Sequence, residues 1–471
     1  MAEQSKSDLI VIGAGPGGYP AAFLAADMGM QVTLIDPEPN PGGVCLFRGC
    51  IPTKTLLHFS NLIHETRESA DRGLSFGSPE IDLEKMRDWK NRVIGQLTEG
   101  MGRLCKQRGI EYIRGTARFR DSEHLVIQRE AGENEIRSFR KAVIATGSRP
   151  ASIPSLPDSP RIMNSARALE LEHIPESLLV VGGGYIGLEM GSIYAALGSK
   201  VTVVEMMPSI LPGADSDLVR LLSMSLRKSF ESIRVNTRVE AAKELQGGIE
   251  VILSSGSQTD NMEFEQVLVT VGRIPNSEGL GLENTKIAAD ERGFILVDPM
   301  RKTAEPHIYA IGDVVGGAML AHKATAEGRR AAENIMGKGE PFEPAAVPAV
   351  LFTDPEVTWT GMTENEARQK GISVQVGKFM WAASGRAASL GRSDGLTKII
   401  GDAKTETVLG VGIVGPGAGE LIGEASLAVE HRMKVSDIAN TIHPHPTLSE
   451  TIMEAAEAFY GLCTHQMRPR K

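Results

Sequence analysis

Apolar residues gather in short unbroken runs, and two stretches of the chain repeat one design. The run over residues 9–12 ends at Gly13 and passes Gly15 and Gly18 into an alanine-rich stretch. A further strand-like run over residues 31–36 then closes on Asp36. The second copy runs over residues 177–181 into Gly182, passes Gly184 and Gly187, and ends a following strand-like run at Glu205. Short apolar runs bounded by turn residues predict buried strands, so each copy predicts strand, helix, strand. The acid follows the first glycine at the same interval in both.

One such glycine pattern is a weak signal. Two copies, each after a strand and opening a helix, meet the requirements of a dinucleotide-binding turn. The first glycine permits the tight turn, the second admits backbone to a pyrophosphate, and the third lets helix pack on strand. The helix N-terminus offers free N–H groups to phosphate. Asp36 and Glu205 can each accept from ribose hydroxyls. Pro20 is a misfit, because proline inside a helix costs about 3 kcal/mol.

The periodicity over residues 83–109 predicts a long helix with Val93, Leu97, Met101 and Leu104 packed on a core and Cys105 buried. Strands are expected to end at Ala145, before Gly272, and at Gly312–Asp313. Residues 337–341 read as a linker. Strand signals at 349–352, 398–400 and 408–414, with two helical runs, predict an α+β third unit. The fold class is therefore α/β, with two Rossmann-like dinucleotide-binding domains and a C-terminal α+β domain. The expected boundaries are 1–150, 151–276, 277–345 (a central segment completing the first domain) and 346–471.

The 471 residues exceed what one core usually holds. A net charge of −9 without a basic block argues against a nucleic-acid partner. The first residues show no leader pattern, and there is no apolar run of about 18 residues, so a cytoplasmic chain off the membrane is expected.

Four cysteines are too few for a secreted disulfide scaffold. Cys45 and Cys50 form a C-x4-C pair. Zinc would need a second ligand pair, and neither another cysteine pair nor a nearby histidine cluster supplies one, so no metal is expected. Five helical residues span about 7.5 Å along the axis, whereas bridged cysteines have Cα atoms within about 6.8 Å. If the two pair, the helix must be distorted or must begin between them. Such a labile bond suits catalysis.

The segment from Gly42 to Lys54 closely resembles the redox motif of the pyridine nucleotide-disulfide oxidoreductases. The resemblance spans nearly the whole chain and includes both glycine turns, Ala145-Thr146-Gly147, Gly272 to Asn276, Tyr309 to Asp313, and the run from His443 to Glu450. It implies a flavoprotein whose cofactors are FAD and NAD. Gly13, Gly15, Gly18, Asp36, Thr146, Gly147 and Asp313 would serve FAD, and Gly182, Gly184, Gly187, Glu205 and Gly272 the nicotinamide cofactor. Cys45 would exchange with substrate and Cys50 would face the flavin. Lys54, one turn beyond Cys50, would favour the thiolate and the bound flavin, and would pair with Glu189. Tyr185 would gate the nicotinamide pocket. His445, oriented by Glu450, would be the base acting on the partner subunit's cysteines in a homodimer. A cis bond is expected at His445-Pro446.

Within this family the absence of a basic residue after Glu205 until Arg220 favours NAD over NADP and argues against glutathione reductase. A lone Cys463, read as inert or incidental, argues against mercuric reductase. Soluble transhydrogenases of this architecture lack the cysteine pair. The residues from Met319 through His322 to Ala324 fit the remaining branch. The resemblance therefore implies oxidation of protein-bound dihydrolipoamide with NAD+, the partner being a lipoyl carrier of a 2-oxoacid dehydrogenase or glycine cleavage type complex. Alternatives are NADH-dependent reduction of another disulfide, or a non-catalytic assembly subunit. Val44, Phe47, Arg48 and Thr53 depart from the usual motif, which bears on carrier docking.

Overall fold

A computed structural model of the chain describes residues 7–130, 132 and 134–467. The buried strand Ser7–Ile12 pairs in parallel with Val32–Asp36 on one side and Asn134–Ile144 on the other. Glu111–Phe119 extends the sheet beyond Val32–Asp36, and Ile308–Ala310 extends it beyond Asn134–Ile144. His124–Arg129 joins the outer parts of two of these strands as an antiparallel arm. The chain thus returns to its first sheet late, and the helix Ala321–Ile335 packs on Gly18–Asp27.

In between lies a second parallel sheet. Its order is Ser232–Arg234, Lys200–Val204, Ser177–Val181, Gln266–Val269, Ile162–Met163. Parallel strands covered on both faces need continuous apolar runs, which is why Leu178, Leu179 and Val180 are all buried. The short pairing of Ser148–Pro150 with Arg273–Pro275 ties the two sheets together.

The third unit is an antiparallel sheet ordered Ala349–Leu351, Glu356–Gly361, Val408–Gly415, Leu396–Asp402, Val374–Met380. The helices Ala418–Glu430 and Glu450–Phe459 cover it over a core containing Trp381 and Phe379. Lys398, fully buried, reaches Asp215 at 2.8 Å and Asp217 at 3.0 Å, and also Glu364, locking this unit to the second sheet's. The architecture is the expected one, two dinucleotide-binding units and an α+β unit.

Two local expectations fail. The predicted helix forms as Leu83–Gln107, buries Cys105 and packs Met101 on the first sheet's core, but its other buried residues are Lys90 and Thr98, while Leu97 and Leu104 are exposed. The Lys90 ammonium donates to the Leu169 carbonyl at 2.6 Å, which turns that face inward. Pro20 carries no such penalty as expected of a helix interior. It lies in the first turn of Gly18–Asp27, where N–H groups lack intrahelical partners. The Pro16 carbonyl, which an N–H at position 20 would have served, accepts instead from the Thr325 hydroxyl at 2.8 Å.

Candidate active site

The two glycine turns share one steric design. Gly13 and Gly182 both have positive φ, +98° and +109°. A Cβ on Gly18 would sit 1.8 Å from the Gly13 carbonyl, and one on Gly187 2.1 Å from that of Gly182. A Cβ on Gly184 would meet nothing within 4 Å, and one on Gly15 only the Gly43 Cα at 3.9 Å, which leaves room on both turns for a phosphate. Asp36 accepts from the N–H of Ala14 at 2.6 Å and of Glu38 at 2.9 Å. Glu205 accepts from Gly183 at 2.7 Å and Met207 at 2.8 Å. Both acids are buried, and each carboxylate keeps lone pairs for a ribose. Burial lifts the Asp36 carboxyl above its usual range despite those two N–H groups.

The chain after the first turn folds back on it. Gly43, at φ +58°, sits so close to Gly15 that a Cβ would lie 2.5 Å from the Gly15 Cα. There the helix Gly43–Arg48 begins and carries Cys45. It breaks at Gly49, and a second helix, Cys50–Glu68, starts with the other cysteine. The break answers the reach problem posed by the spacing. The Thr53 hydroxyl donates to the Gly49 carbonyl at 2.7 Å and secures the new start. Arg48 pairs with Glu38, tying the spacer to the strand that ends in Asp36.

Cys45 and Cys50 are not joined in a disulfide and lie close enough for each to shift the other's ionisation. The hydrogen bond from Cys45 pulls the Cys50 thiol down to about 7, against the opposing effect of burial and with help from Lys54. The same bond, with burial, pushes the Cys45 thiol well above its ordinary value. Cys50 is thus the thiolate of the pair. Lys54 Nζ lies 2.8 Å from Glu189 Oε2 and 4.5 Å over the Phe352 ring. Glu189 Oε1 accepts the Phe352 N–H at 3.0 Å.

Asp313 accepts from the Ser148 hydroxyl, which itself accepts from Arg273 at 2.6 Å. The Thr146 hydroxyl donates to the Asn276 carbonyl at 2.8 Å, and the Gly147 carbonyl accepts the Asn276 N–H at 2.9 Å. Fully buried Glu327 accepts the Gly312 N–H at 2.6 Å and is neutralised by Lys323 at 2.9 Å. Sequence reasoning missed Ser148, Glu327 and Phe352. Only the Lys323–Glu327 spacing hinted at a pair.

A cleft of about 610 Å³ connects the first glycine turn with the cysteine pair and Asp313. It runs from Asp36 past Gly13 and Gly15 to Cys45, Cys50 and Lys54, then to Thr146, Gly147, Asp313, Glu189 and Tyr185. A volume of this order and an open glycine cradle at one end fit a dinucleotide. Gly182, Gly184, Gly187, Glu205 and Gly272 belong to the second turn and do not line it.

His445 and Glu450 also lie outside the cleft. His445 Nδ1 is 2.9 Å from Glu450 Oε1, with the imidazole largely exposed, and the His445-Pro446 bond is cis. Burial raises the Glu450 carboxyl, but the Thr447 N–H and His445 outweigh it and hold it low. His443 is turned away to Glu424 at 2.9 Å, and His322 to the Pro348 carbonyl at 2.7 Å.

A thiol pair on a broken helix at the end of a dinucleotide cleft defines a flavin-linked disulfide oxidoreductase. Residues 7–328 match the pyridine nucleotide-disulphide oxidoreductase family, and residues 347–456 match its dimerisation domain. The chain belongs to this family, and its cofactors are FAD and NAD.

Among curated relatives it is similar to the dihydrolipoyl dehydrogenase of Vibrio parahaemolyticus, 45% identical over 98% of each chain. It is 46% identical to that of Thermus scotoductus, over 97% of this chain and 98% of the relative. Among solved structures it resembles LpdA of Mycobacterium tuberculosis, with a TM-score of 0.89 and 29% identity over 96% of this chain and 99% of that one. The HOCl-induced flavoprotein disulfide reductase RclA of Escherichia coli follows with a TM-score of 0.84 and 28% identity, over 97% and 100%.

Proposed function

We propose that the chain is a cytoplasmic homodimer that oxidises dihydrolipoyl groups on a carrier protein and reduces NAD+. The Cys45 and Cys50 pair on the broken helix, lining the cleft beside Lys54, carries this reading, together with full-length similarity to dihydrolipoyl dehydrogenases. Among the described residues no helix is long and apolar enough to cross a membrane.

In the oxidised enzyme Cys45 and Cys50 share a disulfide. A dihydrolipoyl thiolate attacks Cys45 Sγ, forming a mixed disulfide and releasing Cys50 as thiolate. The second substrate sulfur attacks its partner sulfur, closing the lipoyl ring and releasing Cys45. His445 of the partner subunit takes the substrate protons, and Glu450 holds its ring by Nδ1 so that Nε2 is the working nitrogen. Lys54 balances the Cys50 charge while Glu189 holds Lys54 in place. FAD, when bound, supplies the two-electron link from the cysteine pair to NAD+. Gly13, Gly15, Gly18, Asp36, Thr146, Gly147 and Asp313 would hold it, while Gly182, Gly184, Gly187, Glu205 and Gly272 would hold NAD.

The domain limits 1–150, 151–276, 277–345 and 346–471 belong to this proposal, supported by the late return of Ile308–Ala310 to the first sheet. Mixed dimers test the shared site. A Cys45→Ser subunit paired with a His445→Gln subunit should regain about half of one native dimer's turnover, whereas each variant alone should not turn over. No regain in verified mixed dimers would overturn the cross-subunit site. Turnover of a lipoylated carrier domain at far lower KM than free dihydrolipoamide supports the carrier. Equal KM values would remove it.

A further inference from the structure

Arg48 closes the helix Gly43–Arg48 between the two cysteines, and the thiol chemistry makes no use of it. Its side chain lines the cleft and pairs with Glu38, two residues beyond Asp36. The backbone under Glu38 is fixed on both sides. Its N–H donates to Asp36 Oδ1 at 2.9 Å, and its carbonyl accepts from the Tyr112 hydroxyl at 2.9 Å. The start of the Arg48 helix is fixed as well, by the close approach of Gly43 to Gly15. The guanidinium is thus anchored beside the acid of the first glycine turn, yet the side chain stays 43% exposed. Apart from the nitrogen bonded to Glu38, its N–H groups have no partner among the described residues.

We propose that Arg48 is a FAD-binding residue, the cation that receives the pyrophosphate. A dinucleotide brings a doubly anionic pyrophosphate to a turn that already holds the carboxylates of Asp36 and Glu38. The glycine backbone offers N–H dipoles there but no full charge. Of the cations lining the cleft, Lys54 is bonded to Glu189, and Arg273 to Ser148 beside Asp313. Arg48 is the one that serves the Asp36 end. Against the burial that raises the Asp36 carboxyl, it favours the charged form. A guanidinium carries its donors in a planar fork matched to phosphate, and Glu38 occupies a single nitrogen of it. The departure from the usual motif at Arg48 thus serves the cofactor and not carrier docking. The inference rests on FAD occupying this cleft and is independent of which dithiol is the substrate.

The test dialyses the FAD-loaded dimer to graded free-flavin concentrations and counts bound flavin per chain. Arg48→Met should raise the FAD dissociation constant roughly 10–100-fold, the loss of one charge-assisted hydrogen bond. Arg48→Lys should recover most of that affinity. FAD binding by the native dimer should weaken more steeply with NaCl than binding by Arg48→Met, because the variant lacks the cation that salt screens. An exposed ion pair adds little to folding. Flavin-free Arg48→Met should therefore melt with the flavin-free native protein, whereas a given FAD concentration should raise its midpoint less. Arg48→Gln, polar but uncharged, answers the same question should Arg48→Met fail to assemble. Unchanged FAD affinity in these variants, equal salt dependence, or a melting midpoint lowered as much without flavin as with it would each overturn the proposal.

Discussion

Lys54 Nζ lies 2.8 Å from Glu189 Oε2, so the helix that starts with Cys50 is tied to the helix Tyr185–Leu197 of the second glycine turn. Glu189 also accepts from Phe352, which brings the third unit to the same point. All three parts of the chain meet one turn from the thiolate.

The thiolate should respond to that charge. In the two-electron-reduced enzyme Cys50 is ionised above about 7 and protonated below it. Its thiolate signal, followed as long-wavelength charge-transfer absorbance, should fade as pH falls through that value. Lys54→Met removes a charge that lowers the thiol, so the midpoint should move up. An unmoved midpoint would deny Lys54 this role.

The two glycine turns should fail separately. In Gly18→Ala a Cβ meets the Gly13 carbonyl, and the purified protein should lose FAD. Gly187→Ala makes the matching clash at Gly182, and that variant should keep FAD but lose NAD+-dependent turnover. Flavin absorbance per chain and steady-state turnover separate the two outcomes.

Glu205 should set nucleotide affinity. Loss of a charged hydrogen bond costs about 1.5–3 kcal/mol, so Glu205→Ala should raise KM for NAD+ by roughly 10–100-fold. The discrimination against NADP+ should shrink as well. A KM change confined to the dithiol substrate would contradict the assignment.

Lys398 should matter for stability. It is buried among Asp215, Asp217 and Glu364, and Lys398→Met leaves that acidic group short of a cation. Breaking a buried ion cluster costs about 3–5 kcal/mol, which a lowered urea midpoint would register. Lys378, 2.7 Å from Asp217, limits the loss to the lower part of that range.

The glycine turns were readable from sequence because their spacing records a steric necessity that any such turn shares. Gly18 must clear the Gly13 carbonyl, and Gly187 must clear that of Gly182. The Lys54–Glu189 contact was reachable only through the family resemblance, because nothing local links residues so far apart. The break at Gly49 was half visible, since cysteine spacing demanded it without locating it. Pro20 was misjudged because its relief comes from Thr325, at the other end of the sheet's construction. The stripe through Leu97 and Leu104 was misjudged because Lys90, a lysine, takes an inward place. Glu327 was invisible for a similar reason: a buried carboxylate bound to the Gly312 N–H reads in sequence as a surface charge.

The measurement that bears most directly on the central claim is NADH formation from dihydrolipoamide by the purified FAD-loaded dimer. NAD+ and NADP+ would be run side by side, with Cys45→Ser as control. The account predicts fast turnover with NAD+, little with NADP+, and none in the variant. An active-site disulfide that NADH reduces, in a protein that does not turn over dihydrolipoamide, would contradict it and leave a reductase of some other disulfide.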